Sequence, residues 1–244
     1  MLLTSLRALL QFTTVLPLGA TADFSLFAKR SYLYPLAGYV TGGIAGLCAF
    51  WIADPLIAAA VAVTALLIVT GANHFDGLMD LGDGLMAHGS REIRVRALTD
   101  RQIGTGGFAA GAAVLLLTFA ALTGIRDLLW ALVIAEVAGM FSMAVLTVYG
   151  EPFREGLHAA LHGQAKGWFP LAAALLCTPL LLFPVDPYSL VAAALLAILS
   201  PAVLLLISRH LFGGVNGDVV GASHELTRAL VLCAMVLVPM SALF

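Results

Sequence analysis

Long apolar runs, broken by short clusters of glycine, proline and charge, dominate the chain. Seven of them are candidate membrane helices, at residues 34–52, 56–72, 108–125, 128–149, 168–183, 190–207 and 229–244. Several are near the minimum, since a bilayer crossing takes roughly 20 residues. Asp54-Pro55 and the segment Pro184-Val185-Asp186-Pro187 cannot continue a helix and mark short loops. Ahead of the first run, Thr4, Ser5, Arg7 and Gln11 interrupt a leucine-rich stretch at helical spacing, which predicts an amphipathic helix lying at the membrane interface. The same stretch, followed by Ala20-Thr21-Ala22, mimics a secretory signal peptide. The polar interruptions favour a helix kept in the mature protein.

Composition agrees with lipid as the solvent of the fold. Hydrophobic residues make up 61% of the 244 and charged residues 11%, with a mean hydropathy of +1.01, against roughly 25% charged in soluble domains. The length accommodates six to eight spans and no separate soluble domain, so residues 1–244 are expected to form one membrane-embedded catalytic domain, all-α and polytopic. A net charge of −2 supplies no basic field for nucleic acid. Seven spans would place eleven of the twelve cations, Arg228 among them, on one side and leave only Arg126 on the other. That bias predicts a cytoplasmic N-terminus and cytoplasmic loops at 73–104, 150–167 and 208–226, which also hold all six histidines. Cys48, Cys177 and Cys233 each lie in an apolar run with no Cys or His at ligand spacing, and are expected to be small packing residues.

The sharpest polar signal follows the second run, at 73–84. Asp76, Asp80 and Asp83 are spaced i, i+4 and i+7, which puts them within about 60° of one another on one helical face. Three unpaired carboxylates repel, and a divalent cation removes that penalty. Magnesium suits them, because it takes hard oxygen ligands and bridges carboxylates to substrate phosphates. Gly77, Gly82 and Gly84 leave space beside the acids, and the spacing is not that of an EF-hand loop. The alternative is a solvated helix end.

Downstream, Arg101 leads into Gly104-Thr105-Gly106-Gly107, a glycine-rich turn ahead of a helix whose free N–H groups predict a phosphate cradle. Arg91, Arg94 and Arg96 are equally explained as membrane anchors. Two further loops offer Arg154 with Glu155, and Asp218 with Glu225, as substrate contacts. Glu136 is an acid inside a span, where an ionised carboxylate costs roughly 2.5 kcal/mol or more; it is either functional or bonded to a neighbouring helix.

Taken together these residues resemble the cobalamin synthases, or adenosylcobinamide-GDP ribazoletransferases, nearly end to end. The resemblance begins with Phe12-Thr13, Leu16-Pro17 and Tyr34-Pro35-Leu36, and centres on His74, Asp76-Gly77, Asp80 and Asp83-Gly84. It continues through Asp100, Ile103-Gly104-Thr105, Glu155-Gly156-Leu157, Gly217-Asp218 and Glu225. Asn216, where Thr is expected, and Thr227-Arg228 depart from it. The resemblance implies that α-ribazole or its 5'-phosphate attacks adenosylcobinamide-GDP through a ribose hydroxyl and releases GMP, with an oligomer compatible. It implies magnesium on Asp76, Asp80 and Asp83, Arg101 facing the GMP phosphate, and His74 or an aspartate taking the hydroxyl proton.

Two rivals come from other readings of the same residues. A cation-coupled secondary transporter would use Glu136 and the loop acids, but no inverted repeat is visible and the polar residues crowd one face. The run Asp80 to His88 looks like the opening of the CDP-alcohol phosphotransferase signature, with His88 in place of its Arg and later aspartates missing from their spacing.

Overall fold

The computed structural model describes residues 2–237, and among these the regular secondary structure is all helical, with one isolated bridge between Pro152 and Val215 in the loops. The order is α1 (Leu2–Thr13), α2 (Phe24–Ala28), a 3-10 turn at Ser31–Leu33 running into α3 (Tyr34–Phe50), α4 (Pro55–Thr70), α5 (Asn73–Met86) and α6 (Arg91–Leu98). There follow α7 (Thr105–Thr123), α8 (Leu128–Tyr149), α9 (Leu157–His162), α10 (Phe169–Cys177) extended by a 3-10 turn at Thr178–Leu182, α11 (Pro187–Leu211) and α12 (Gly217–Leu237). The expected breakers start helices: Asp54 and Asp186 each cap the amides that open α4 and α11, ahead of a proline that has no N–H to satisfy.

This is a multi-pass membrane protein. Among the described residues, five segments are long and apolar enough to cross a bilayer, namely Ser31–Phe50, α7, α8, α11 and α12, and the pair α4 and α5 makes up to six. By that measure the described residues account for five or six of the expected seven. The run at 168–183 yields only the shorter apolar segment Phe169–Leu182, whose second part tightens to a 3-10 turn at Pro179. The run expected at 229–244 begins instead at Gly217, and residues 238–244 lie outside those described. Its start was misplaced because Glu225 and Arg228 look like loop residues; within a helix, at i and i+3, they neutralise each other.

α8 is the centre of the bundle and is buried along most of its length. Against it lies α3, whose Gly38, Gly42 and Gly46 recur every four residues and face Val137, Leu132 with Val133, and Leu129. Glycines on one stripe let two backbones approach closely, which is how helices pack where lipid gives no hydrophobic drive to associate. α7 and α11 keep large apolar side chains such as Phe108, Leu116, Leu199 and Leu206 exposed, as a lipid-facing surface requires. α1 is amphipathic as expected, and its inner face also packs on the bundle, with Leu9 fully buried and Arg30 donating to Ser5 Oγ at 2.8 Å. Cys48 is exposed, not buried as expected of a packing residue, while Cys177 and Cys233 are half-buried.

The close approach of α3 and α8 makes a specific expectation. A Cβ at Gly42 would lie 2.7 Å from Leu132 O and Val133 Cα, both backbone, whereas at neighbouring Gly43 it meets nothing within 4 Å. Gly42→Val should cost about 1–3 kcal/mol, the usual range for overpacking, and Gly43→Ala should stay within about 0.5 kcal/mol of the parent, measured by unfolding in detergent.

Candidate active site

The site is built on α5. The chain leaves α4 through Gly71, at φ +61°, and Ala72, at φ +55°, and turns by 94°. Left-handed backbone at two consecutive residues stops one helix and redirects the next. Beyond this bend α5 no longer continues the direction of the α4 span. It packs against the first turns of both α7 and α12, and glycines make that possible. Gly82 faces the Gly106 backbone, and Gly77 lies so close to Asp218 that a Cβ would sit 2.6 Å from its carbonyl oxygen. The glycines expected to leave space for a ligand thus leave space largely for other helices.

Of the three aspartates, Asp76 is exposed, while Asp80 and Asp83 are half-buried. Asp83 is already engaged: its two oxygens accept the N–H groups of Gly104, at 2.7 Å, and Gly107, at 2.8 Å. This corrects the phosphate cradle expected at Gly104, Thr105, Gly106 and Gly107. The opening turn of α7 does bind an anion, but that anion is a carboxylate of the protein itself. The four free amides at a helix start attract negative charge, and α5 delivers Asp83 to them across 21 to 24 residues of sequence.

Asp80 stands among like charges. Partial burial and the neighbouring Asp218, Asp76 and Asp83 carboxylates raise its carboxyl to about 7, against a small opposing pull from Arg154. Asp218, in the first turn of α12, therefore joins the aspartates of α5. Asn216 organises that turn by donating to Asp218 Oδ2 at 2.5 Å and accepting from the Val219 N–H at 3.1 Å. This is an N-cap role that the residue type signals and that sequence reasoning passed over. The Pro152 to Val215 bridge ties the loop after α8 to the loop before α12, with Val215 N–H donating to Glu151 O at 2.8 Å. It brings Arg154 to 4.0 Å from Asp218, while half of its side chain stays exposed. Arg101 and Glu155 are exposed.

Glu225 does not belong with them. It is 1% exposed and, with Glu136 of α8, holds Arg228. Its expected substrate contact is corrected, as is the placement of Arg228 in a cytoplasmic loop: both lie inside α12 at its crossing with α8. Arg228 donates to Glu136 Oε1 at 3.2 Å and to both oxygens of Glu225. Glu136 also accepts from Thr41 of α3 and has His224 Nε2 3.4 Å away. Gly139 makes room for the His224 ring, which a Cβ would meet at 2.7 Å. Glu136 is thus bonded to neighbouring helices, one of the two roles expected of it.

His74 is buried on α5, with its ring 4.5 Å from that of His224. Burial, then the nearby His224, push it down to about 3, so the imidazole is neutral. Among the described residues, His74, His224 and Glu225 are the one group of three or more Asp, Glu, His and Cys side chains whose ligand atoms lie mutually within 4.8 Å. No three of Asp76, Asp80, Asp83 and Asp218 meet that spacing. The buried group already contains a cation in Arg228, whereas the carboxylates on α5 have only the exposed Arg154 opposite them. Hard oxygen donors, several of them and uncompensated, are what magnesium takes, often through water instead of direct contact. The donor set at Asp76, Asp80 and Asp218 fits that ion, with lone pairs still free on Asp83.

Fold and site together define a multi-span helical membrane protein with a carboxylate-lined site where a bent helical arm meets the starts of two spans. The chain belongs to the cobalamin-5-phosphate synthase family, whose description matches residues 5–236. It is 35% identical to an adenosylcobinamide-GDP ribazoletransferase of Methanocella arvoryzae, over 96% of each chain. The corresponding protein of Halorubrum lacusprofundi is 36% identical, over 97% of this chain and 98% of its own. That of Pyrobaculum islandicum is 37% identical over 94% of each. No solved structure matches the chain.

The raised carboxyl of Asp80 predicts a pH effect on stability. Folded, the group keeps its proton up to about 7, whereas unfolded it releases it near 3.8. The folded state therefore binds more protons over that window and loses stability as pH rises through it. Asp80→Asn removes that loss. In the absence of divalent cations, the melting temperature of the variant relative to the parent should rise between about pH 4 and pH 7 and level off above it, measured by differential scanning fluorimetry in detergent.

Proposed function

We infer that this chain is a ribazoletransferase that carries out the final step of cobalamin assembly. Membership of the family carries the reading, and the names of relatives that match almost the whole chain give the substrates: adenosylcobinamide-GDP as donor and a ribazole as acceptor. A ribose hydroxyl of the acceptor forms a bond to the cobinamide-side phosphorus. The bond from that phosphorus to the bridging oxygen breaks, GMP leaves with the electron pair, and the hydroxyl proton passes to a base on the protein.

The residues divide these tasks on physical grounds. Asp76, Asp80 and Asp218, with Asp83 behind them, would hold magnesium, which when bound neutralises charge on the bridging and leaving oxygens. Arg154 and Arg101, both exposed on loops at this face, are the cations available to the diphosphate. The buried, neutral His74 has too little proton affinity to draw a proton from a hydroxyl near neutral pH. Asp80, whose carboxyl is raised to about 7 by partial burial and its neighbouring carboxylates, has that affinity and takes the proton instead. The excess of Lys and Arg in the loops on the same side as α5 supports a site that faces the cytoplasm from the cell's cytoplasmic (inner) membrane.

A direct assay tests this reading. Purified protein in detergent, given adenosylcobinamide-GDP and α-ribazole, should release GMP in a magnesium-dependent manner. Asp76→Asn, Asp80→Asn and Asp218→Asn should each lower turnover on the order of 10²-fold or more, and pairs of them should lose much less than the product of the single losses. Parental turnover in all three variants, or release indifferent to magnesium, would contradict it.

A further inference from the structure

We propose that a cavity of about 280 Å³ beside the aspartates, enclosed by the ends of α1, α3, α5, α9 and α12 with Met143 of α8, is the acceptor site and takes an uncharged nucleoside with a flat apolar base. The inference rests on the transferase reading above and adds to it which ligand goes where. Its volume lies just under the range of roughly 300–1,000 Å³ usual for small-molecule pockets. A nucleoside fits such a space; a corrin macrocycle does not.

The walls decide between the remaining parts of the substrates. Phe12, Tyr34, Met143, Leu157 and Leu161 supply aromatic and aliphatic surface, suited to a base with few polar edges. No lysine or arginine lines the cavity, and Asp218 stands at its polar end. A diphosphate would meet a carboxylate there with no cation of the wall to offset it, so GDP is excluded and an uncharged group is favoured.

The two imidazoles in the wall give the polar end its preference. His158 is 3% exposed, and burial lowers its basicity, so its ring is neutral. Its Nε2 is 2.7 Å from the carbonyl oxygen of Gly150 and must carry the proton. Nδ1 is then an acceptor, and it is buried with no hydrogen-bond partner. His74 likewise keeps Nδ1 buried and unpartnered. The unsatisfied buried acceptor of His158 favours a ligand that donates, the unpartnered Nδ1 of His74 can take either role, and the hydroxyls of a ribose both donate and accept. Base among the apolar side chains and ribose between His158, His74 and Asp218 would direct the sugar toward the carboxylates of α5.

The test measures binding to the full chain in detergent by calorimetry, with α-ribazole and adenosylcobinamide-GDP titrated separately in the presence of magnesium, where neither alone can undergo transfer. A Cβ at Gly217 meets nothing within 4 Å, so Gly217→Leu should grow into the cavity without moving backbone. Leu157→Trp fills it from the opposite wall at an exposed position. Each variant should weaken α-ribazole by at least tenfold and leave donor affinity within about twofold. Retained donor binding also reports that the variant is folded. Should Gly217→Leu lose it, Leu157→Trp decides. Variants that bind α-ribazole like the parent, or that lose both ligands equally, overturn the cavity assignment. GMP release by the parent separates the two readings. With release intact and α-ribazole insensitive to both variants, the cavity fails alone; with neither release nor α-ribazole binding by the parent, both fail.

Discussion

Glu136, Glu225 and Arg228 meet where α8 crosses α12, in a part of the protein that offers no water to hydrate them. An ionised side chain alone at that depth is costly, and a half-satisfied one is worse than an apolar residue. Arg228 meets both acids, Thr41 adds a hydroxyl from α3, and His224 stands 3.4 Å from Glu136. The charges therefore tolerate burial only in this mutual arrangement, which fixes α12 against α8 and α3 in one register. That register sets the position of Asp218, ten residues before Arg228, over Gly77 of α5. The geometry of the site is in this sense inherited from a buried ion-paired group.

The second constraint is the way α5 is held. Its far end is anchored by Asp83 on the amides of Gly104 and Gly107, and its near end is turned by the left-handed pair Gly71 and Ala72. Between these fixed points Asp76 and Asp80 are presented together, close enough to Asp218 for Asp80 to feel its charge. A helix start that would otherwise attract phosphate is thereby used to orient the acids. On the proposed function, the phosphate contacts would fall to the loop cations Arg101 and Arg154 and to an ion held by the carboxylates.

Much of the fold was legible in the sequence because apolar run length is a direct consequence of bilayer thickness. α8 was read at its observed ends, 128–149, and the loops marked at Asp54-Pro55 and 184–187 do separate helices, though their last prolines turn out to open α4 and α11. Where reading failed, a residue's partner was distant. Arg228 looked like the end of a loop because its acid partners sit three residues away on the same turn and 92 residues away on α8. Asp83 looked equivalent to Asp76 and Asp80 because their common helical face is local, whereas the amides that claim it belong to α7. Asp218 was singled out with Glu225 by spacing alone; burial separates them, one at the helix start and one within the bilayer-spanning part. Asn216 was the recoverable miss, since Asn ahead of a helix is a capping signal.

The central claim is that the carboxylates of α5 and Asp218 act as one cation site. Manganese, a paramagnetic stand-in for magnesium that takes the same hard oxygen ligands, can be titrated into the detergent-solubilised protein and its free fraction read by electron paramagnetic resonance. The account predicts saturable binding that weakens at least tenfold in both Asp80→Asn and Asp218→Asn. It predicts little change in His74→Gln, since His74 lies with the buried group that Arg228 already neutralises. Binding that survives both aspartate changes but is lost on replacing His74 would contradict it, and would move the cation from the surface of α5 into the bundle.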